Sequence, residues 1–161
     1  MGDFFKDVDS LNAAQSALES QENLQGKKLQ VFESPHFYSN ARILIQIQDP
    51  SNPENINEYI YRNGSWKAPT PVRLEEPGNI RNHLTPLEKM PFSVISSIEK
   101  TWNQKAQSVE GAEQTRLSHV YLNINPSTGK RRWFCDSVTG TKDSYFLTFN
   151  LDGSVENWKK N

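Results

Sequence analysis

The sequence predicts an α+β protein made of two helix-plus-four-stranded antiparallel sheet units in tandem. Three observations lead there. An apolar pattern of helical period gives way to patterns of period two, once after Gly26 and again after Gln107. Both runs of alternation contain the same kind of tight turn, Asn63-Gly64-Ser65 and Asp152-Gly153-Ser154. The length of 161 residues then divides into halves 1–76 and 77–161, each holding one such series and together suiting one compact structural domain.

The first helix is expected from Ser10 to Gln25. Leu11, Ala14 and Leu18 recur at helical spacing, Asp9 or Ser10 can cap the start, and Gly26 can supply the left-handed residue at the end. Its apolar stripe is thin, which suits a helix lying on a sheet with one face only. Lys28–Glu33 reads as a short strand, and His36, after Ser34-Pro35, as a loop residue. In Ala41–Gln48, Ile43, Ile45 and Ile47 share one face, the signature of a half-buried strand. Asp49–Asn57 is rich in Pro and Asn and reads as a loop. Glu58–Arg62 and Ser65–Ala68 form a hairpin around Asn63-Gly64, since that dipeptide tolerates the positive φ angles of a type I′ turn. Pro69 and Pro71 confine the next segment to an edge, with Val72–Leu74 a candidate.

Glu75–His83 is a connector. Thr85-Pro86-Leu87-Glu88 has the order of N-cap, N1 proline and N3 glutamate, and opens a short helical turn. The second main helix runs from Phe92 to Gln107, with Val94, Ile95, Ile98 and Trp102 on one stripe and Ser96, Ser97, Lys100 and Asn103 opposite. Three more strands are expected: Thr115–Ile124, Lys130–Ser137 (Trp133 and Cys135 on one face, Phe134 on the other) and Asp143–Asn150 (Tyr145, Leu147 and Phe149 on one face). Asp152-Gly153 turns the chain into Ser154–Trp158.

The closing hairpins rhyme. Tyr59-Ile60-Tyr61-Arg62-Asn63-Gly64-Ser65-Trp66 is matched by Leu147-Thr148-Phe149-Asn150-Leu151-Asp152-Gly153-Ser154, and each last strand carries a Trp, Trp66 or Trp158. Hairpin chemistry by itself yields the same rhyme, since Asn-Gly and Asp-Gly are the best turn formers. A helix followed by four strands, twice over, resembles the tandem PepSY-like and β-lactamase-inhibitory-protein-like architectures. The resemblance covers most of the chain and rests on element order and the two Asx-Gly-Ser hairpins. It implies a non-catalytic binding module, commonly exported and often a bacterial lipoprotein. The inhibitory proteins carry disulfides, which one cysteine cannot form, so none of their contact residues transfers.

Composition narrows the function classes. The formal net charge is −1, from 18 Lys and Arg against 19 Asp and Glu, so no overall field attracts nucleic acid or an anionic membrane. The apolar share is only 35%, but 4 Trp, 5 Tyr and 8 Phe let few residues build a core. No apolar run approaches the roughly 20 residues of a membrane-spanning helix. No signal-peptide pattern is present, and Lys6 stands where a myristoylation site wants Ser or Thr. The abrupt Met1-Gly2-Asp3 start also suits a chain whose export leader is gone, with a lipid anchor left open. Cysteine poverty fits a periplasmic or outer-membrane-associated protein and a cytoplasmic one alike, and the resemblance favours the envelope.

Chemistry is sparse, and no cofactor is called for. His36, His83 and His119 belong to no His-x-x-x-His or His-Glu-x-x-His pattern, so no metal site is expected. Cys135 with His119 could form a nucleophile–base pair, but no helix N-terminus depresses the thiol and Asp136 acts the wrong way; a small buried hydrophobe is the better reading. Glu75-Glu76 and Glu110/Glu113 are acidic patches in loops. Lys130-Arg131-Arg132 beside Trp133 is a dense basic cluster, and a solvated strand edge explains it better than nucleic-acid binding.

The aromatics point elsewhere. Tyr59, Tyr61 and Trp66 fall on one face opposite Ile60, while Tyr121, Trp133 and Tyr145 form a second candidate group. Some must be core. Those left exposed would make an aromatic sheet surface of the kind protein partners favour. The expected function is a non-enzymatic protein-binding or inhibitory module, with Tyr59, Tyr61, Trp66, Tyr121 and Trp133 as contact candidates. Two alternatives stand beside it: a small enzyme or ligand carrier with a cavity between helix and sheet, and a structural component of an envelope assembly.

Overall fold

The computed structural model describes residues 3–74, 77–114 and 116–161. The Met1-Gly2 start, the Glu75-Glu76 pair and Thr115, the expected beginning of a strand, lie outside them. After a short 3-10 turn at Phe4–Lys6, helix α1 spans Val8–Glu19. Its cap is Asp7 rather than Asp9 or Ser10: the Asp7 carboxylate accepts from the amide and the hydroxyl of Ser10, satisfying a first-turn donor that the helix itself leaves free. The helix also stops early. The segment up to Gly26 (φ +74°) runs through successive turns instead.

Five strands complete the first half. They are β1 (Gln30–Tyr38), β2 (Arg42–Gln48), β3 (Ile56–Arg62), β4 (Ser65–Trp66) and β5 (Thr70–Pro71). β1 is longer than expected and carries His36 in mid-strand, not in a loop. Pro35 interrupts the ladder, and the strand absorbs it in a bulge where the register shifts between Phe32 and His36 and Glu33 takes φ +55°. The Asn63-Gly64 turn has φ +54° and +80°, the type I′ geometry its residues predict. The short edge segment is Thr70–Pro71, not Val72–Leu74.

A 3-10 segment at Pro77–His83 leads to β6 (Leu84–Pro86). Thr85 lies inside β6, so the capping box does not form; the adjoining 3-10 turn, Leu87–Lys89, has no side-chain cap, and Thr85 accepts a hydrogen bond from Arg131 instead. Helix α2 spans Val94–Gln107 and buries Val94, Ile95, Ile98 and Trp102 as the stripe requires. The remaining strands are β7 (His119–Ile124), β8 (Arg131–Cys135), β9 (Val138–Thr139), β10 (Ser144–Asn150) and β11 (Val155–Lys160).

All pairings are antiparallel and join one 11-stranded sheet, in the order β11-β10-β8-β7-β1-β2-β3-β4, with β5 on β3, β6 on β1 and β9 on β10. The α+β class therefore holds, but the molecule is dominated by a single sheet instead of two separable units. β1 from the first half hydrogen-bonds β7 from the second, and one core cluster takes side chains from both halves. That cluster lies between the helices and one face of the sheet. Leu11, Ala14 and Leu18 of α1 and Ile95, Ile98 and Trp102 of α2 meet Ile43, Ile45 and Ile47 of β2, Val120 and Leu122 of β7, and Trp133 of β8. Burying one Trp side chain contributes roughly 4–6 kcal/mol of gross transfer free energy, which is how a chain poor in aliphatics supports this core. The other face carries neither helix.

Candidate functional site

Register decides which aromatics are available. Tyr59, Tyr61 and Trp66 do share a face: Tyr61 opposes Trp66 across the β3–β4 hairpin, while Ile60 points the other way toward Leu44. That shared face is the one under the helices. Tyr59 is fully buried and its hydroxyl accepts from Asn23. Trp66 is half-buried, donating its ring N–H to the Ala14 carbonyl of α1 at 2.8 Å. Tyr61 lies between Phe4 and Trp66, with ring centroids at 6.2 and 5.1 Å.

The second group does not form. Trp133 is fully buried and donates to the Leu151 carbonyl. Tyr145 shares its side of the sheet and stacks on Trp158 at 4.6 Å. Tyr121 pairs with Phe134, one residue out of phase with Trp133 in the β7–β8 ladder, and so faces the opposite way. Of the five candidates only Tyr121 is on the open face.

There it belongs to a row of rings. Tyr38 and His119, cross-strand partners on β1 and β7, stack at 4.5 Å and 4°. His36 stacks on His119 at 5.1 Å and on Tyr121, its own cross-strand partner, at 5.2 Å. Phe134 continues the row 5.5 Å beyond Tyr121. A guanidinium closes each end, Arg42 4.3 Å over Tyr38 and Arg132 5.4 Å over Phe134. The row thus crosses four adjacent strands, β2, β1, β7 and β8. None of these side chains belongs to the core cluster.

The two histidines, 83 residues apart in sequence, touch: His36 Nδ1 and His119 Nε2 are 2.9 Å apart. Such a contact needs one N–H and one lone pair, so it cannot survive with both rings doubly protonated. Burial, and then the neighbouring His119, hold His36 below the usual histidine range. For His119 burial again leads, with Asp136 opposing it and the Arg42 charge reinforcing it. Asp136 is itself held by the Ser118 amide, the Ser118 hydroxyl and Gln114.

The remaining sequence candidates find structural partners. Cys135 is on the helix-covered side, so it and His119 face opposite ways; its thiol donates to the Leu147 carbonyl, and burial pushes it up to about 12. The basic cluster is not a strand edge, since β8 lies inside the sheet between β10 and β7. Lys130 and Arg132 converge on Glu156, and Arg131 is spread over Thr85, Leu84 and Gly129.

Surface hollows of about 170 Å³ beside Lys27–Gln30 and Pro86–Glu88, and of about 240 Å³ at Asn103, Ala106 and Gln107, are lined by neither Cys135 nor His119. Among the described residues no group of three or more His, Cys, Asp and Glu is placed to hold a metal ion, and no helix is long and apolar enough to cross a membrane. No family model, no curated protein and no solved structure matches this chain.

The open-face row is hard to see in the sequence because Ser34-Pro35 makes His36 look like a loop residue. A signal for it exists all the same: β1 alternates His36, Phe37, Tyr38, and β7 alternates His119, Val120, Tyr121, each with its aliphatic or Phe member buried.

Proposed function

We propose that the chain is a non-enzymatic binding module that engages a protein partner through the open face of its sheet. The row from Tyr38 to Phe134 carries this reading: aromatic side chains sit on three adjacent strands, β1, β7 and β8, on the face that the helices leave uncovered. Clustered Tyr and Phe side chains with arginines at the margin are the composition of contact centres in protein interfaces. The contact surface accordingly moves away from Tyr59, Tyr61, Trp66 and Trp133 to Tyr121 and its neighbours.

The same reading keeps the tandem plan in a finer form, as a duplicated helix-plus-meander fused into one sheet. In its support, β1-β2-β3-β4 and β7-β8-β10-β11 run outward from the centre in mirrored order, each preceded by a helix. A periplasmic or outer-membrane-associated location comes with the PepSY-like resemblance.

The test uses a partner isolated from the native source. Hydrogen exchange in the complex is expected to slow in β1, β7 and β8. Tyr121→Ser combined with Phe134→Ser is expected to abolish binding while the thermal midpoint falls by only about 1–8 °C and the chain stays folded. A partner that binds this double variant equally well removes the reading. So does a defined catalytic activity lost in Cys135→Ala or His119→Ala with the fold intact.

A further inference from the structure

Arg42 differs from the two arginines of β8. Arg131 gives its nitrogens to Thr85, Leu84 and Gly129. Arg132 lies 3.6 Å from Glu156. Arg42 pairs with no carboxylate among the described residues, and its Nε–H is buried without an acceptor. Leaving a buried donor of this kind unpaired destabilises the free protein. Its position is fixed from below. Arg42 opposes Tyr38 across the β1–β2 hairpin, and its guanidinium carbon lies 4.3 Å over the centre of that ring.

Behind Tyr38 stand His119 and His36. Their mutual contact uses one nitrogen of each ring and leaves the other without a partner among the described residues. The one carboxylate that acts on His119, Asp136, already accepts from Ser118 and Gln114. Facing this column, then, are the Arg42 charge, the two imidazoles, the Tyr38 and Tyr121 rings, and an Asp136 committed elsewhere. The result is a positive, donor-rich spot with no free anion of its own.

We propose that Arg42, with His119 and His36 stacked behind Tyr38, is a carboxylate-binding site that receives an acidic side chain of the protein partner. The proposal rests on the open face being the docking surface. A planar guanidinium whose terminal N–H groups have no partner among the described residues matches the two oxygens of a carboxylate, and an oriented one loses less side-chain entropy on binding. Stacking of a nucleobase is disfavoured, because it needs a free ring face. Here the rings cover one another, at 4° to 24° among Tyr38, His36, His119 and Tyr121.

The experiment is an NMR titration of the isotope-labelled chain with four probes: N-acetyl tetra-aspartate amide, its tetra-asparagine counterpart, inorganic phosphate and a short oligo-dT. The readouts are the Arg42 Nε–Hε signal and the His119 ring signals. Tetra-aspartate is expected to move both in a saturable way and to raise the His119 pKa, since a neighbouring negative charge favours imidazolium. Tetra-asparagine is expected to move neither. R42Q should weaken binding at least tenfold and R42K by less, with the amide spectrum unchanged away from the site, while K159Q binds as before.

An equal response to tetra-asparagine, or one that survives in R42Q, overturns the proposal. Phosphate or oligo-dT binding as tightly as tetra-aspartate overturns the carboxylate assignment. Shifts at Tyr121 and Phe134 without any at Arg42 remove this site and leave the docking face; no shift anywhere on the face counts against both.

Discussion

The core around Phe37 and the open-face column from Tyr38 to Tyr121 use aromatic rings in opposite ways. Around Phe37, at the centre of the core, rings meet steeply, with Phe92 at 81° and with Trp133 at 65°, although at the margins of the covered face Phe4–Tyr61 and Tyr145–Trp158 lie flatter, at 20° and 9°. On the open side they stand nearly parallel, Tyr38 with His119 at 4° and His36 with His119 at 11°. The difference comes from what each ring can touch. A core ring is surrounded by two layers, and interdigitation favours edge-to-face contacts. An open-face ring has neighbours only on its own sheet, and adjacent strands lie about 4.7–4.9 Å apart. Centroid separations of 4.5 to 5.5 Å between rings on adjacent strands of the row are close to that spacing. One face is therefore a packing device. The other is a row of ring edges held upright by the backbone ladder.

The sharpest test of this contrast is Trp133→Ala. It empties a fully buried site and leaves the Leu151 carbonyl without its donor. The expected loss is about 3–5 kcal/mol, seen as a fall of roughly 6–20 °C in thermal midpoint at this chain length. Molecules that remain folded should bind the partner as before. A fall of under about 2 °C would mean that the covered face is not the core.

On the other side, Tyr121→Ser or Phe134→Ser should cost only about 0.2–1 kcal/mol each in chemical denaturation, the worth of cross-strand pairs. A cost as large as that of Trp133→Ala would show that the row is structural after all.

A pH effect comes next. Both histidines are held below their ordinary range in the folded state, so the unfolded chain binds protons first. Their contribution to stability is complete above the unfolded pKa, about 6.5, and is lost as pH falls below it toward the folded values. His36→Asn combined with His119→Asn should flatten the stability-versus-pH curve in that window. An unchanged slope would place its origin elsewhere.

The smallest effect concerns Cys135. With its thiol pushed up to about 12 and largely shielded, alkylation by iodoacetamide at pH 8 should proceed only as fast as the chain unfolds. Rapid modification of the native protein would contradict the placement of Cys135 on the covered face.

Much of this fold is legible in the chain, because local chemistry fixes it. Ile43, Ile45 and Ile47 declare β2, Asn63-Gly64 declares its turn, and the Val94–Trp102 stripe declares α2. The illegible parts depend on partners remote in sequence. Nothing near Thr85 shows that β1 will draw it into a strand, where its hydroxyl accepts from Arg131 instead of capping a helix. Lys130-Arg131-Arg132 looks like an edge because Glu156, which neutralises two of the three, arrives only with the last strand. The candidate site is the least legible. Alternation groups side chains by face but does not say which face the helices will cover, so Tyr59, Tyr61 and Trp66 share a face as expected and yet belong to the buried side. His36 is hidden by a local rule, that Pro ends strands, which a bulge circumvents.

The pairing of β1 with β7 has a consequence for how the chain is made. β1 finds β2 within a few residues, but its other edge waits for strands of the second half: β6 for Gln30–Phe32, and for His36–Tyr38 β7, more than eighty residues further along. During synthesis the first half emerges with that edge unpaired, and with Phe37 lacking the Phe92 and Trp133 rings that later pack against it. Contacts of such long range slow folding and leave a strand edge open to wrong partners in the meantime. The centre of the mature sheet is thus the last part of the first half to be completed, and the interval before β7 arrives is when this chain is most exposed to misassembly.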